Sequence, residues 1–537
     1  MPITKNILVI DDDASVLKSL TKLFRKEGYN VVCALSGKEA FKIIEGSDFD
    51  LIIVDIRMPD IDGVETIENI KEITRSKERA DIPVVFITGY ADIEPIEKAK
   101  QLGEVVIKPF DLLDFLNRVK EQVNSRRRVV ITGLGVVAPN GIGKDEFWLA
   151  NISGKSGVEV ITSFDVSHLE SKIAATVKNL DPLKYMPKEV VKRTDRFVHL
   201  GLAAAKMALE DSKLDLENSD KKRMGVIIGS GLGGVLFHEE TILTGYEKGL
   251  HRLNPLSVPK ISPNAVSSHI AIQYGLLGPN MVISAACASG TQAVGEACRK
   301  IKANEMDVCV SGGVEASLTQ FTFGAYCALH VLSKRNDSPS KASRPFDKER
   351  DGFVLGEGAG ILILEELNHA LNRNAYIYAE IAGYSSNSGV YHMVLPKEDG
   401  SDAAEAIVQT LKDGNLQPEN IDYINAHGTS TQANDKAETK AIKKAFDNYA
   451  YRVPISSTKS MIGHSIGASG AIEIIVCAMV IQNNIIPPTI NYNQKDPECD
   501  LDYVPNEARK ADVKVAISNS FGFGNTNACI ALRRWNR

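Results

Sequence analysis

Three short, glycine-flanked turns hold the residues best equipped for chemistry. In MVISAACASGTQAVGEACRKIKAN (281–304) the apolar run VISAA leads into Cys287, and Ser289-Gly290 opens an amphipathic helix. A cysteine at that turn lies at a helix N-terminus, whose partial positive charge and free N–H groups favour the thiolate. Most free cysteines are instead small buried hydrophobes, so the turn alone leaves both readings open. In YINAHGTSTQANDKAE (423–438) His427 ends a strand and is followed by glycine and three hydroxyl residues. In ISSTKSMIGHSIGASGAIE (455–473) Lys459 and His464 stand five residues apart in a loop of small residues before a helix. Of ten histidines only these two lie in such turns. A thiol nucleophile with imidazole partners is suited to covalent acyl transfer.

A second set of reactive groups lies near the N-terminus. Asp11 and Asp12 follow the run ILVI, Asp55 follows LIIV, Thr88 closes VVFIT, and Lys108 follows VVI. Singly, each reads as a solvated loop residue. Together they bring three carboxylates close, which is costly unless a cation sits among them. Hard oxygen ligands left partly open suit Mg²⁺. A carboxylate beside that ion, with a hydroxyl and an ammonium aimed at it, can accept a phosphoryl group.

The elements that position these groups follow two patterns. To about residue 124, ILVI (7–10), NVVCAL (30–35), LIIV (51–54), VVFIT (84–88) and VVI (105–107) read as buried parallel strands. Helical stretches such as Ser15–Lys26, Gly37–Glu45 and about Asp111 to Asn124 lie between or after them. Five such units make a doubly wound α/β sheet, whose ligands bind at the carboxyl ends of the strands. The second segment begins at RRVVITGLGVV (127–137) and is rich in glycine at strand ends. Its last piece, AISNSFGFGNTNACIAL (516–532), reads as strand, glycine-rich turn and strand. The junction EQVNSRRR has no flexible Pro/Gly/Ser tether, so the two segments are expected to be held close.

Bulk properties exclude several classes. With 537 residues, more than one domain is expected, and 44% apolar and 24% charged residues are ordinary for a globular protein. A net charge of −6 and a basic run of only Arg126-Arg127-Arg128 give no nucleic-acid footprint. No signal-peptide core or uninterrupted apolar span is visible, so a cytoplasmic protein without a membrane span is expected. Eight scattered cysteines without a CxxC pair fit a reduced protein lacking disulfides and structural zinc.

DDD after the first strand, VDIRMPDIDG around Asp55, ITG at Thr88 and VIKPF at Lys108 resemble the receiver domain of two-component response regulators, over residues 1–124. The resemblance implies a flavodoxin-like fold with Asp55 as phosphoacceptor. Asp11, Asp12, Asp55 and the Arg57 carbonyl would hold Mg²⁺, Thr88 and Lys108 would read the phosphoryl oxygens, and a histidine kinase would be a partner. One departure stands out: many receivers carry Tyr or Phe three residues before the lysine, where this chain has Val105, and the preceding loop LGE is short.

Cys287 together with HGTST, STKSMIGH, NSFGFG, RPFDKERDGFVLGEGAG (344–360) and IPPTINY (486–492) resembles the elongating β-ketoacyl-acyl carrier protein synthases, over 128–537. The resemblance implies a five-layer αβαβα thiolase fold in two related halves, about 128–378 and 379–537, with Cys287 in the first half. It implies a decarboxylative Claisen condensation, with Cys287 carrying the acyl group and His427 and His464 acting on malonyl-acyl carrier protein. The N–H groups of Cys287 and Phe523 would form the oxyanion hole, with Phe523 also the gate. Lys459 would pair with Glu438, in a tuning or a purely structural salt bridge. Thr429 and Thr431 would contact pantetheine. Asn425, Glu473, Ser518 and Asn519 match positions that bind a monovalent cation in some relatives, and no organic cofactor is implied. Lys188, Lys192 and Arg193 match the carrier-docking stretch, although an ordinary solvated helix face accounts for them too. A homodimer through the synthase segment is implied, with a heterodimer of related synthases as the alternative. Asn525 departs from the pattern by replacing a usual glycine in the gate turn.

Joining the two sets raises the expectation of a synthase tuned by phosphorylation at Asp55. The competing expectation is a signalling scaffold that binds acyl carrier protein without turnover, against which an intact Cys287 weighs.

Overall fold

The computed structural model describes residues 5–76, 82–89, 93–124 and 127–535. It divides into two compact units that meet in sequence at Arg127–Arg128. Ser125 and Arg126 of the junction lie outside the described residues.

The first unit is a five-stranded parallel sheet of β1 (Asn6–Ile10), β2 (Asn30–Ala34), β3 (Leu51–Asp55), β4 (Val84–Thr88) and β5 (Glu104–Ile107), in the order β2-β1-β3-β4-β5. Helices α1 (Ala14–Lys26), α2 (Gly37–Gly46), α3 (Gly63–Ser76), α4 (Ile93–Leu102) and α5 (Leu112–Asn124) connect or follow the strands. The inner strands are apolar on both faces because helices cover both. Asp13, the third aspartate of the DDD run, starts α1 by accepting the Ser15 N–H. The short turn into β5 depends on Gly103, where a Cβ would lie 2.4 Å from the Val84 carbonyl oxygen. Val105 packs partly buried against the sheet core.

The second unit is built on eleven strands: β6 (Val129–Ala138), β7 (Gly141–Ile142), β8 (Met224–Gly229), β9 (Asn280–Ile283), β10 (Val308–Glu315), β11 (Gly358–Glu366), β12 (Ala379–Ser388), β13 (Tyr423–Asn425), β14 (Ile455–Ser456), β15 (Val515–Gly522) and β16 (Thr526–Arg533). The main path runs β9-β8-β10-β11-β6-β12-β16-β15-β13-β14, with β7 paired to β6. Leaving out β7 and numbering each half's strands 1 to 5 in chain order, both halves read 3-2-4-5-1 from edge to seam. Their parallel and antiparallel pairings also match, strand for strand. The halves join where Ile131 and Val130 face Ala379 and Glu380. This duplication, invisible in residue identities, is plain in the topology.

Two helices form the middle of the five αβαβα layers: α6 (Ser289–Lys302) after β9, and α7 (Ser469–Asn483), which follows β14 and a short connecting segment. In α7, thirteen of fifteen residues are buried, because it packs among both halves rather than on one face. The window Ile466–Asn483 is long and apolar enough to cross a membrane, but 89% of it is buried inside the protein, which makes it a core helix. The two middle helices approach closely through glycine: a Cβ on Gly290 would lie 2.9 Å from the Ala471 nitrogen, and one on Gly470 would lie 2.0 Å from Thr291 Oγ1.

Candidate active site

The duplicated topology explains how residues 140 to 177 positions apart meet. Cys287 follows the third strand of the first half, and His464 follows the third strand of the second. His427 follows the second half's second strand, and Phe523 sits in the hairpin between β15 and β16. All four line one cavity, together with Thr429, Thr431, Phe353 and Asn525.

Ala286 holds φ +47°, a left-handed conformation for a residue with a Cβ, immediately before Cys287. Ser289 supports that turn by accepting the Ala285 N–H at 2.9 Å and donating to the Ala286 carbonyl at 2.6 Å. Cys287 Sγ is 3.0 Å from His464 Nε2, and His464 Nδ1 is 2.9 Å from Ser469 Oγ. A hydroxyl both donates and accepts, so Ser469 supports either tautomer of His464. The His427 ring stands 5.4 Å from that of His464 at 84°. The backbone N–H groups of Phe523 and Cys287 reach the sulfur.

One sequence expectation is corrected here. The start of α6 was expected to favour the thiolate, yet burial pushes the Cys287 thiol up to about 11, outweighing the Lys459 ammonium and the two N–H groups. Cys287 is therefore a thiol at neutral pH, with an imidazole nitrogen at hand to take its proton. Both imidazoles are held well below their ordinary range by burial and then by Lys459, so both are neutral. An expected outcome follows for alkylation of Cys287 by iodoacetamide, read by mass spectrometry. Its rate should climb about tenfold per pH unit from pH 7 to 10; a plateau by pH 8 would contradict the buried-thiol reading.

The expected Lys459–Glu438 pair is also corrected. Lys459 Nζ forms its ion pair with Glu473 and lies 3.4 Å from His427 Nδ1. Glu438 instead accepts the backbone N–H groups of His427 and Gly428 at 2.8 and 2.7 Å, with Asn519 Nδ2 at 3.3 Å. It therefore fixes the turn that carries His427. Lys459 donates toward Nδ1, which leaves the N–H of His427 on Nε2. Burial raises both Glu438 and Glu473 to about 7. Ser469, and Glu315, which accepts the Gly231, Leu232 and Gly467 N–H groups, carried no signal in the sequence.

The oxygens Asn425 Oδ1, Glu473 Oε2, Ser518 Oγ and Asn519 Oδ1 are buried without a hydrogen-bond partner. Register places Asn425 beside Ser518. Unpaired buried oxygens on this scale are costly, and a monovalent cation fits that donor set. Thr429 and Thr431 are joined hydroxyl to hydroxyl at 2.9 Å on the cavity wall. Lys188, Lys192 and Arg193 are exposed on the short helix Lys188–Arg193 and do not line the cavity.

In the first unit, Lys108 Nζ bridges Asp55 Oδ1 at 3.0 Å and Asp11 Oδ2 at 3.6 Å. Asp11 is buried, which raises its pKa, while Asp12 is exposed. The Arg57 N–H donates to Asp55 Oδ2 at 2.9 Å, and Thr88 is buried at the end of β4. This donor set of carboxylates and a carbonyl fits Mg²⁺.

Comparison with known proteins agrees with both units. Residues 126–370 match the family Beta-ketoacyl synthase, N-terminal domain, and 378–493 match Beta-ketoacyl synthase, C-terminal domain; residues 7–120 match Response regulator receiver domain. A 3-oxoacyl-[acyl-carrier-protein] synthase 2 of Coxiella burnetii is 45% identical, covering 76% of this chain and 99% of that one. A putative polyketide beta-ketoacyl synthase 1 of Streptomyces cyaneus is 41% identical, covering 76% and 98%. Among solved structures, a type II polyketide synthase acyl-carrier protein in complex with its ketosynthase, bound to the hexaketide, aligns with TM-score 0.71 and 36% identity over 76% of this chain and all of that one. The thiol, the paired imidazoles and these matches together place the chain in the beta-ketoacyl synthase family, as an acyltransferase preceded by a response-regulator receiver domain.

Proposed function

We propose that residues 128–537 condense an acyl group held on Cys287 with a malonyl unit delivered on acyl carrier protein, giving a 3-oxoacyl thioester two carbons longer. The observation that carries this reading is the contact of His464 Nε2 with Cys287 Sγ at 3.0 Å beside a second, neutral imidazole. His464 takes the thiol proton as Sγ attacks the acyl thioester, and the N–H groups of Cys287 and Phe523 hold the oxyanion. The carrier's thiolate leaves with that proton. Malonyl-carrier protein then enters past Thr429 and Thr431. His427 donates its Nε2–H to the thioester carbonyl, joined by His464 in the Nε2–H tautomer that Ser469 supports by donating to Nδ1, while the bond to the carboxylate breaks and CO₂ departs. The enolate attacks the acyl carbonyl, the C–S bond to Cys287 breaks, and the released thiolate takes up a proton from solvent. Asn425, Glu473, Ser518 and Asn519 would hold a monovalent cation, whose charge offsets the buried carboxylates. Lys188, Lys192 and Arg193 offer positive charge to an acidic carrier.

The edge strand β9 supports a dimer: Met281, Ile272, Leu277 and Val258 are exposed apolar residues on or near it. Incubation with octanoyl- and malonyl-carrier protein should yield an octanoyl adduct on Cys287 and a ten-carbon 3-oxoacyl product by mass spectrometry. An alkylatable Cys287 that never acquires the adduct would leave the scaffold reading in its place.

Phosphorylation of Asp55, with Mg²⁺ held by Asp11, Asp12, Asp55 and the Arg57 carbonyl and a histidine kinase as donor, is the regulatory part of this reading. A phosphoryl group on Asp55 would draw Lys108 and Thr88 to its oxygens and change the charge of that face. Beryllofluoride-treated protein is expected to differ from an Asp55→Asn variant in condensation rate or carrier affinity. Equality in both would remove the regulatory claim.

A further inference from the structure

The side chain of Asn525 reaches from the gate turn to another loop by hydrogen bonds. It holds φ +53°, and Asn tolerates this left-handed conformation better than most residues do. Its Nδ2 donates to the His392 carbonyl and, at 3.3 Å, to the Leu395 carbonyl. Two backbone bonds run alongside: Gly524 N–H to the Met393 carbonyl and Gly389 N–H to the Asn525 carbonyl, both at 2.7 Å.

The loop it grasps connects β12 to the helix Ser401–Asp413. Val390 and Met393 on that loop are 99% and 74% exposed, so little apolar packing holds it down. Its next residues, Val394, Leu395 and Pro396, form one wall of the Cys287 cavity. Phe521, Gly522, Phe523 and Asn525 form the facing wall. The two walls of the cavity mouth are therefore joined by two backbone bonds and by the amide of one side chain, that of Asn525.

We propose that Asn525 is a latch that makes the Phe523 turn and the 389–396 loop open as one body, and that it thereby limits the bulk of the acyl group admitted to Cys287. With glycine there, the two backbone bonds would remain and the two side-chain donations would vanish. Asn525 touches no reacting atom and acts by positioning the walls. The inference rests on Cys287 being the acyl-carrying residue.

The test measures access chemically, so that it succeeds or fails whether or not condensation is observed. Cys287 is alkylated with iodoacetamide and with N-(1-pyrenyl)maleimide, and the adduct is mapped by mass spectrometry in the full chain and in Asn525→Gly and Asn525→Asp variants. Aspartate keeps the size and the tolerance of positive φ but has no donor. Both variants are expected to raise the pyrene-to-iodoacetamide rate ratio about tenfold, the shift that loss of roughly one net hydrogen bond allows. An unchanged ratio in both overturns the latch. A proportionate rise with both reagents overturns it as well, because that reports general loosening of the site. Octanoyl- and hexadecanoyl-carrier protein then show whether the variants gain the longer chain selectively, as the latch requires.

Discussion

Cys287→Ala is expected to abolish the acyl adduct and to lower condensation by at least about 10⁴-fold, because the covalent step is lost altogether and only bound-state orientation remains. The two imidazoles do not depend on the sulfur for their placement. Glu438 holds the His427 turn through two N–H groups, and Ser469 engages His464 on the side away from Cys287. CO₂ release from malonyl-carrier protein should therefore continue in Cys287→Ala while product disappears. His427→Ala should do the reverse: acyl loading persists and CO₂ release falls. If Cys287→Ala loses both activities, the division of labour between thiol and imidazoles is wrong.

Lys459→Ala should carry the largest stability penalty of any single change in the site, on the order of 3–5 kcal/mol, because it leaves Glu473 buried without its ion partner. The pH dependence has a defined sign. Burial raises Glu473 from an ordinary 4.5 to about 7 in the folded protein. Its contribution to stability is thus fully present below about pH 4.5 and is lost as pH rises through about 7. Removing Lys459 raises that carboxyl further, so the defect in urea denaturation should be small at pH 5 and grow toward pH 8. Lys459→Met combined with Glu473→Gln should recover most of the stability. Activity should stay depressed in the double variant, since His427 Nδ1 no longer faces an ammonium; full recovery would reduce Lys459 to a structural role.

Much of the first unit was legible because its chemistry and its secondary structure share one rule. Parallel strands buried on both faces leave long apolar runs, and the residues after those runs must lie at the ligand-binding edge. The observed strands depart from the expected ones only at their ends: ILVI (7–10) gains Asn6, VVI (105–107) gains Glu104, LIIV gains Asp55, and NVVCAL loses Leu35. The synthase halves were harder to see. Repetition survives there in strand order and pairing, which depend on backbone hydrogen bonds rather than on the identity of any side chain.

Partner choice inside the site was not legible either. Glu438 precedes Lys459 by 21 positions and Glu473 follows it by 14, and no spacing rule selects between them. The fold selects Glu473, because α7 passes directly behind the Lys459 turn, while Glu438 lies on the helix that faces the His427 backbone. The same holds for the thiol of Cys287. A helix start predicts stabilisation of the anion, but the depth of burial decides the outcome.

The sequence by itself determined which groups can react: one cysteine and two histidines in glycine-flanked turns, and an aspartate at the end of a buried strand. Residue type and flanking backbone freedom are local properties, and a chain displays them without folding. Tertiary structure alone decided how those groups behave. It brought Cys287 within 3.0 Å of His464, held both imidazoles neutral, exchanged the partner of Lys459, and set Asn525 against the loop across the cavity mouth. Distance, desolvation and hydrogen-bond partnership are relations between segments far apart in the chain, and only packing creates them.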